Sequence, residues 1–167
     1  IWVTEAPSQA RDTIYSLAKA GGSASWQDFQ EWFHLYQAKR QSPKAMARFL
    51  RRRVEELTYE LPNGFKVAPA LVLDTTSANL DLENESDNSE VGAAMAELKQ
   101  GLTGVPLTLI GHTPKALAKS DVSDVTFRGA GAWEADSVAT YFLIHDSDTD
   151  IRFLAIRKCR FAPSYSE

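Results

Sequence analysis

Three short apolar segments, each followed by a polar side chain, most constrain how this chain can fold. They read IWVTE, ALVLD and LTLIGH, and they end at Glu5, Asp74 and His112. Apolar runs of roughly four to eight residues between turn formers are typical of strands covered on both faces, as in a parallel sheet. Neighbouring parallel strands place their carboxyl ends at one sheet edge, where open α/β folds bind ligands. We therefore expect the three side chains to meet at that edge, although Asp and Thr also favour caps and polar residues often follow strands.

These three side-chain types suit metal-assisted hydrolysis. One carboxylate can orient Mg²⁺ through water, a second can activate a water molecule, and a neutral imidazole can sense the reacting group. A metal-dependent nuclease built on Asp74, Asp81 and Glu83 is a second chemistry that clustered carboxylates allow. A haloacid dehalogenase phosphatase would need Asp at position 76, where Thr stands. An EF-hand would need a glycine in the acidic stretch 81–88, which has none.

Four stretches have the apolar periodicity of helices. The first follows Ser8, a candidate cap, and ends at Gly21 and Gly22. The second, over 23–40, has aromatic residues at helical spacing that predict a packing face or a docking surface. Its aromatic residues are Trp26, Phe29, Phe33 and Tyr36, with Trp32 beside them.

The third and fourth helices have both a stripe and a start signal. Ser42 and Pro43 supply the cap and the first turn of the third. Asp87 with Glu90 resembles a capping box at the start of the fourth. The predicted stripes are Met46, Phe49, Leu50, Val54 and Leu57 in the third helix, and Val91, Met95, Leu98 and Leu102 in the fourth.

Strands and helices alternate along the chain before two final strands. The last two, VATYFLIHD and RFLAIRKCRF, are joined by the acidic turn DSDTD. This order predicts an α/β fold with a mostly parallel central sheet flanked by helices and a C-terminal β-hairpin. A length of 167 residues suits one domain over 1–167.

Composition excludes several classes of protein. No window approaches the roughly 18 to 20 apolar residues of a membrane span, so we expect no membrane partner. The single cysteine, Cys159, and the lack of an apolar leader favour a reducing, cytoplasmic setting. One cysteine and three scattered histidines match no structural zinc pattern. A net charge of −4 argues against broad, nonspecific binding of nucleic acid.

The chain resembles the RecA-like hexameric replicative helicases and their plasmid and phage RepA-type relatives, within the P-loop NTPase superfamily. The resemblance covers most of the chain and rests on the order and spacing of VTEAP, ALVLDTTSAN, SDNSE, IGHTPK, FRGAGAWEAD and IRKCRF. It implies a RecA-like fold, ATP and Mg²⁺ as cofactors, a ring of identical subunits that is expected to be a hexamer, and single-stranded DNA as partner. The implied process is plasmid, phage or mobile-element replication.

The resemblance also implies a role for each residue at the sheet edge. Glu5 corresponds to the carboxylate that activates the attacking water, and Asp74 to the Walker B aspartate that holds Mg²⁺. Thr75 is its hydrogen-bonding neighbour at the nucleotide. His112 corresponds to the sensor that couples the state of the phosphate to the DNA-binding loops.

Basic residues near the C-terminus supply the remaining implied sites. Lys158 and Arg160 resemble the pair that such helicases insert into the neighbouring subunit's ATP site, and their alternation along a strand puts them on one face. Cations that protect an edge strand from aggregation are the alternative. Arg128, which is followed by Gly129 and Gly131, is a rival for the role at the nucleotide. With Lys115 and Lys119 it also lies where the family has a central-channel loop that tracks the DNA backbone.

One part of the family pattern is missing from these residues. ATP hydrolysis on this fold needs a glycine-rich loop ending in Gly-Lys-Ser/Thr, whose N–H groups and lysine hold the phosphates. No Gly-Lys pair occurs in the 167 residues. We therefore expect a chain truncated before Ile1, a carboxyl-side portion that does not hydrolyse ATP alone. A non-catalytic RecA-like module for DNA binding or oligomerisation is the alternative.

Overall fold

The structure is a computed structural model, and it describes residues 1–21, 31–112, 131–146 and 149–160. The chain divides into two compact units. The first comprises residues 1–83 and 96–111, and the second comprises residues 84–95 and 112–167. The prediction of one domain over 1–167 stays a prediction.

The first unit is built on a sheet of four strands in which all neighbouring pairs are parallel. Two further short strands pair antiparallel with each other, and their turn contains Gly64 with φ of 81°. The strands are β1 (Trp2–Thr4), β2 (Leu35–Gln37), β3 (Tyr59–Glu60), β4 (Lys66–Val67), β5 (Leu71–Asp74) and β6 (Leu107–Ile110).

The strand order in the parallel sheet is β2-β1-β5-β6. The connections carry helices α1 (Pro7–Ala20), α2 (Pro43–Leu57), α3 (Thr76–Asn79) and α4 (Asn88–Gly101). Because parallel connections are right-handed, the path from β1 outward to β2 puts α1 on one face, and the path back to β5 puts α2 on the other. No helix within the described ranges has both the length and the apolar character needed to cross a membrane.

The core lies between the sheet and α2. Val3 and Leu73 are neighbours in register, point to the same face and are almost completely buried. An edge-to-face contact of 5.5 Å joins the rings of Tyr36 in β2 and Phe49 in α2 on this side. The predicted stripe of α2 is confirmed at Met46, Leu50 and Val54, which are buried together with Ala47. Phe49 and Leu57, the other two residues of the stripe, are partly exposed.

The C-terminal end of α4 approaches α2 closely. A Cβ atom added to Gly101 would lie 2.7 Å from the Cβ of Ala47, closer than side chains tolerate. Arg51 reinforces the contact by donating from Nε to Gly101 O at 2.9 Å and from Nη2 to Thr103 O at 3.0 Å. The stripe of α4 predicted from the sequence is confirmed, since Val91, Met95, Leu98 and Leu102 are all buried.

The opposite face of the sheet is only half covered. In β5, Leu71 and Leu73 are buried whereas Val72 and Asp74 are partly exposed. In β6 the pattern alternates between half-buried and exposed residues, and Ile110 is 36% exposed. The expectation of strands covered on both faces is therefore too simple for this chain. α1, on this face, has no fully buried residue.

The residues predicted to cap the N-termini of the helices are confirmed for some helices and wrong for others. Ser42 caps α2 by accepting a hydrogen bond from Ala45 N at 3.3 Å, as predicted. Asp87 caps α4 through Ser89 N and Glu90 N, at 2.7 and 3.0 Å, whereas the side chain of Glu90 accepts from Asn84 N at 2.9 Å. Ser8 caps nothing, because α1 already begins at Pro7 and its N-cap residue makes no side-chain hydrogen bond.

The predicted aromatic helix over 23–40 is wrong in its last part. Residues 35–37 form β2, the edge strand paired with β1, and Tyr36 lies opposite Val3. Aromatic residues fit a pleated, half-buried surface as well as a helix, so the pairing with β1 decided the outcome. Trp26 and Phe29 lie outside the described residues.

The second unit contains the predicted C-terminal hairpin, β7 (Ala139–Asp146) and β8 (Ile151–Cys159), with a register shift between Thr140 and Tyr141. A short helix, α5 (Ala132–Ala135), precedes it. One face of the hairpin exposes large apolar side chains. They are Tyr141, Leu143, Leu154 and Ile156.

Candidate functional site

The candidate site is the carboxyl edge of β1 and β5 in the first unit. Thr4 and Asp74 are opposite each other in register, and Asp74 is opposite Ile110 on its other side. Glu5 directly follows Thr4, and Thr75 directly follows Asp74. The parallel pairing of two strands far apart in sequence therefore brings Glu5 and Asp74 to one edge, as the sequence predicts, and Thr75 lies beside Asp74 there.

Asp74 is the last residue of β5 and is not a helix cap. Its Oδ2 accepts hydrogen bonds from the indole Nε1 of Trp2 at 3.2 Å and from the hydroxyl of Thr4 at 3.4 Å. Alternation along β5 directs Leu73 into the core and Asp74 to the half-covered face, where it remains partly exposed. A strand can thus end in a carboxylate here because that side chain leaves the apolar core and meets two donors.

The turn after Asp74 is held by buried polar groups. The peptide bond between Asp74 and Thr75 is cis. Thr75 is 9% exposed, and its hydroxyl lies 3.1 Å from the hydroxyl of Ser77. Asn79 is fully buried, and its Nδ2 donates to Thr75 O at 2.8 Å and to Val3 O at 3.4 Å. The amide of Asn79 therefore ties the turn after Asp74 to the strand that leads to Glu5.

Glu5 is exposed, in the bend between β1 and α1. Its main chain is anchored from the β2 side, because Gln37 Nε2 donates to Glu5 O at 2.7 Å and Ala38 N donates to Thr4 O at 2.7 Å. The side chain is open to solvent, so a water molecule can come within hydrogen-bond distance of its carboxylate.

His112 is exposed and follows the end of β6 by two residues. It is grouped with the second unit, whereas Glu5 and Asp74 are in the first. The sensor role predicted for it stays a prediction.

Lys158 and Arg160 bind carbonyl groups at the C-terminus of α5. Lys158 Nζ donates to Glu134 O at 2.7 Å and to Ala135 O at 2.8 Å. Arg160 Nη2 donates to Ala135 O at 2.8 Å. Cations are favourable beside the exposed carbonyls of a helix end. Both side chains reach the same carbonyl of their own chain in this structure, and their role across a subunit boundary stays a prediction.

The structure says less about the other predicted site residues. Lys115, Lys119 and Arg128 lie outside the described residues. The nuclease alternative finds no support among residues 1–21, 31–112, 131–146 and 149–160, where no group of three metal-binding side chains occurs. Asp81 instead pairs with Arg40, whose Nε lies 3.3 Å from its Oδ1.

The residues fit Mg²⁺ as a partner of a nucleotide rather than as an ion in a protein cage. Mg²⁺ keeps several waters and is usually bound through one or two carboxylates together with substrate phosphates. Asp74, partly exposed and already oriented, matches that donor set. The phosphate-binding half of such a site has no counterpart in the sequence, which has no Gly-Lys pair.

Sequence reasoning missed the residues that hold the site. Trp2, Thr4 and Asn79 were not predicted to matter, although Trp2 and Thr4 are two apart in a strand and hence share a face. That signal becomes readable only when β1 is known to pair with β5 with Thr4 opposite Asp74.

Comparison with protein-family models, with curated proteins and with solved structures found no match.

Proposed function

We propose that this chain is the carboxyl-side part of a RecA-like motor domain whose intact protein hydrolyses ATP at the subunit interfaces of a ring and moves along single-stranded DNA. Plasmid, phage or mobile-element replication is the process it serves. The proposal rests on the residue pattern and on the arrangement of the sheet edge.

The observation that carries the proposal is the register of β1 and β5. Thr4 lies opposite Asp74 in a parallel pair, so an exposed Glu5 and a partly exposed Asp74 leave the same sheet edge from adjacent strands. In open α/β folds that edge is where ligands bind. Two carboxylates there, one exposed and one held by donors, suit a water-activating base beside a metal-holding acid.

The roles follow from the two environments. Glu5 has its carboxylate in solvent and its main chain anchored, so it can accept a proton from an attacking water. Asp74 is oriented by Trp2 and Thr4, so it can hold the water shell of Mg²⁺. Bound Mg²⁺ supplies charge neutralisation on the phosphates of the nucleotide.

The proposal requires a phosphate loop on residues outside these 167. Among the described residues β6 pairs only with β5, and the proposal places a further strand at its other edge. A strand followed by Gly-x-x-x-x-Gly-Lys-Ser/Thr would satisfy both requirements. The same intact chain would supply the interfaces for the ring, and Lys115, Lys119 and Arg128 would belong to the loop that tracks the DNA.

The test compares Glu5→Gln with Glu60→Gln in the full-length protein. Glu60 is an exposed carboxylate on β3 and serves as the matched control. We expect Glu5→Gln to lower the kcat of ATP hydrolysis by about 10²-fold or more, because a general base contributes that much, while ATP binding persists. A Glu5→Gln rate close to wild type would remove the general-base assignment.

A non-catalytic RecA-like module is the second candidate. Lys158 and Arg160 donate hydrogen bonds to carbonyl groups of α5 in their own chain. This favours the second candidate, because catalysis across a subunit boundary requires both side chains to reach the ATP site of the neighbouring subunit. Full-length protein that forms rings and binds single-stranded DNA, but shows no ATP hydrolysis before or after Glu5→Gln, would select this candidate.

A further inference from the structure

The carboxylate of Asp74 is held on one side only. Trp2 Nε1 and Thr4 Oγ1 both bind the same oxygen, Oδ2, at 3.2 and 3.4 Å. These donors come from β1, 72 and 70 residues earlier in the chain. No residue that the structure describes donates to Oδ1. Within the described part of the chain the hydrogen bonding is therefore asymmetric, with two donors on one oxygen and none on the other.

This asymmetry fixes the orientation of the carboxylate. The last torsion angle of an aspartate has a broad, roughly two-fold energy profile, so a free carboxylate rotates easily. Two donors that converge on Oδ2 from the neighbouring strand restrict that rotation and keep Oδ1 on the opposite side. Donors of this kind orient metal ligands in many proteins, and their loss weakens metal binding.

Thr4 also connects the two candidate catalytic carboxylates. Its side chain is 6% exposed, and its hydroxyl oxygen lies 3.5 Å from Ala6 N, which donates to it. The hydroxyl proton is then directed to Asp74, and the accepted N–H belongs to the residue after Glu5. One buried hydroxyl thus contacts both the metal-holding carboxylate and the bend that carries Glu5.

We propose that Trp2 and Thr4 are positioning residues that direct Oδ1 of Asp74 toward the water shell of a nucleotide-bound divalent cation. This inference rests on the proposed function of Asp74. It adds to that function a specific device, a two-donor clamp from β1 that sets the apparent affinity for the cation. A purely structural role would satisfy the same buried groups without changing cation binding.

The variants separate these two roles. Thr4→Val removes the hydroxyl with little change in shape, and Thr4→Ser keeps a hydroxyl. Trp2→Phe removes the indole donor but keeps an aromatic ring. Thr108→Val is the matched control, because Thr108 is an exposed threonine of β6 in the same sheet.

The first measurement uses the full-length protein with ADP and follows Mn²⁺ binding by electron paramagnetic resonance. Urea unfolding of each variant is measured in parallel. We expect Thr4→Val and Trp2→Phe to raise the Kd of Mn²⁺ by about 10-fold, the lower end of what loss of such donors causes. Thr4→Ser should stay within about 2-fold of wild type, and Thr108→Val should be unchanged.

A second measurement needs neither nucleotide nor metal. The indole N–H resonance of Trp2, assigned by its loss in Trp2→Phe, should move in Asp74→Asn because its acceptor changes from an anion to an amide. If Thr4→Val does not fold, Trp2→Phe and this resonance carry the test.

The outcomes distinguish the inference from the function on which it rests. Wild-type protein that shows no Mn²⁺ binding dependent on ADP removes the proposed function and the inference with it. Wild-type binding that persists unchanged in Thr4→Val and Trp2→Phe, even with reduced stability, overturns the inference alone. An indole resonance insensitive to Asp74→Asn also overturns it, because the donor contact would then be absent in solution.

Discussion

Replacing Asn79 tests how the turn after Asp74 is held. Asn79 is the last residue of α3 and is 0% exposed. Its Nδ2 bonds Thr75 O at 2.8 Å and Val3 O at 3.4 Å. Its Oδ1 has no hydrogen-bond partner among the described residues. Asn79→Ala removes the amide, and Asn79→Asp keeps its shape but exchanges the donor for a carboxylate oxygen.

The magnitude follows from these contacts. A typical intramolecular hydrogen bond contributes about 1 kcal/mol net, and a buried group left without its partner costs about 1–3 kcal/mol. The 3.4 Å bond belongs at the weak end. Thr75 O keeps a second donor, the backbone N–H of Asn79 at 3.2 Å, and the unpartnered Oδ1 is removed as well. We expect Asn79→Ala to lower the free energy of unfolding by about 1–3 kcal/mol.

Asn79→Asp should be worse and should depend on pH. A buried carboxylate facing two carbonyl oxygens has no compensating donor, so we expect a loss above about 3 kcal/mol at neutral pH. Burial raises the pKa of such a carboxyl in the folded state, because the charged form is disfavoured there. The penalty is therefore present in full above the raised folded pKa and decreases as the pH falls toward the ordinary value of aspartate.

The assay is urea unfolding, followed by tryptophan fluorescence and circular dichroism at neutral and mildly acidic pH. Gln9→Ala is the control, because Gln9 is an exposed amide on α1 and its loss should change stability by less than about 0.5 kcal/mol. The reasoning is refuted if Asn79→Ala is as stable as wild type, or if Asn79→Asp is no worse than Asn79→Ala at neutral pH.

The remaining predictions concern packing, charge and helix ends. Gly101→Ala should lower the free energy of unfolding by about 1–3 kcal/mol, because the added Cβ would lie 2.7 Å from a Cβ of α2. Gly92→Ala, in the same helix but with open space around the new Cβ, should raise it by about 0.5–1 kcal/mol. The hydrogen bond from Arg52, with the charge of Arg53, lowers the pKa of Glu56. The stabilisation from that pairing is present above the ordinary pKa of glutamate and lost as the pH falls through the lowered folded value, so Glu56→Gln and wild type should converge in stability at low pH. Lys158→Met should speed amide hydrogen exchange in α5, because two carbonyls at its C-terminus lose a charged donor.

For each of these predictions, a specific experimental result would contradict it. Equal stability of the two glycine variants in urea would show that α4 and α2 do not approach as closely as described. A stability difference between Glu56→Gln and wild type that persists at low pH would assign it to packing rather than to charge. Unchanged exchange in α5 after Lys158→Met would mean that solvent replaces the lysine without cost.

Much of the local structure was readable from the sequence. The stripes of α2 and α4, the cap at Ser42, the capping aspartate at Asp87 and the C-terminal hairpin follow from spacing and turn chemistry that act over a few residues. The segments that became β1, β5 and β6 were also identified as strands. The aromatic segment was assigned wrongly at Tyr36, because its composition suits both a helix and a half-buried strand.

The candidate site shows the same division. The sequence predicts that Glu5, Asp74 and His112 share an edge, because parallel strands align their carboxyl ends. The register of β1 with β5 brings Glu5 and Asp74 to one edge, whereas His112 is grouped with the second unit. The donors that orient Asp74 and the buried amide that holds the turn after it were not predicted. Contacts such as Trp2 with Asp74 join residues 72 positions apart, and no local pattern encodes them.

The sequence by itself determined the strands β1, β5 and β6, the helices α2 and α4 with their starts, and the polar side chains that follow those strands, because each of these depends on neighbours along the chain. Only the tertiary structure decided the strand order β2-β1-β5-β6, which face of the sheet is covered, and which side chains donate to Asp74. Those outcomes depend on which distant segments pack together, and they are set by the burial of apolar surface and the pairing of strands in the folded chain.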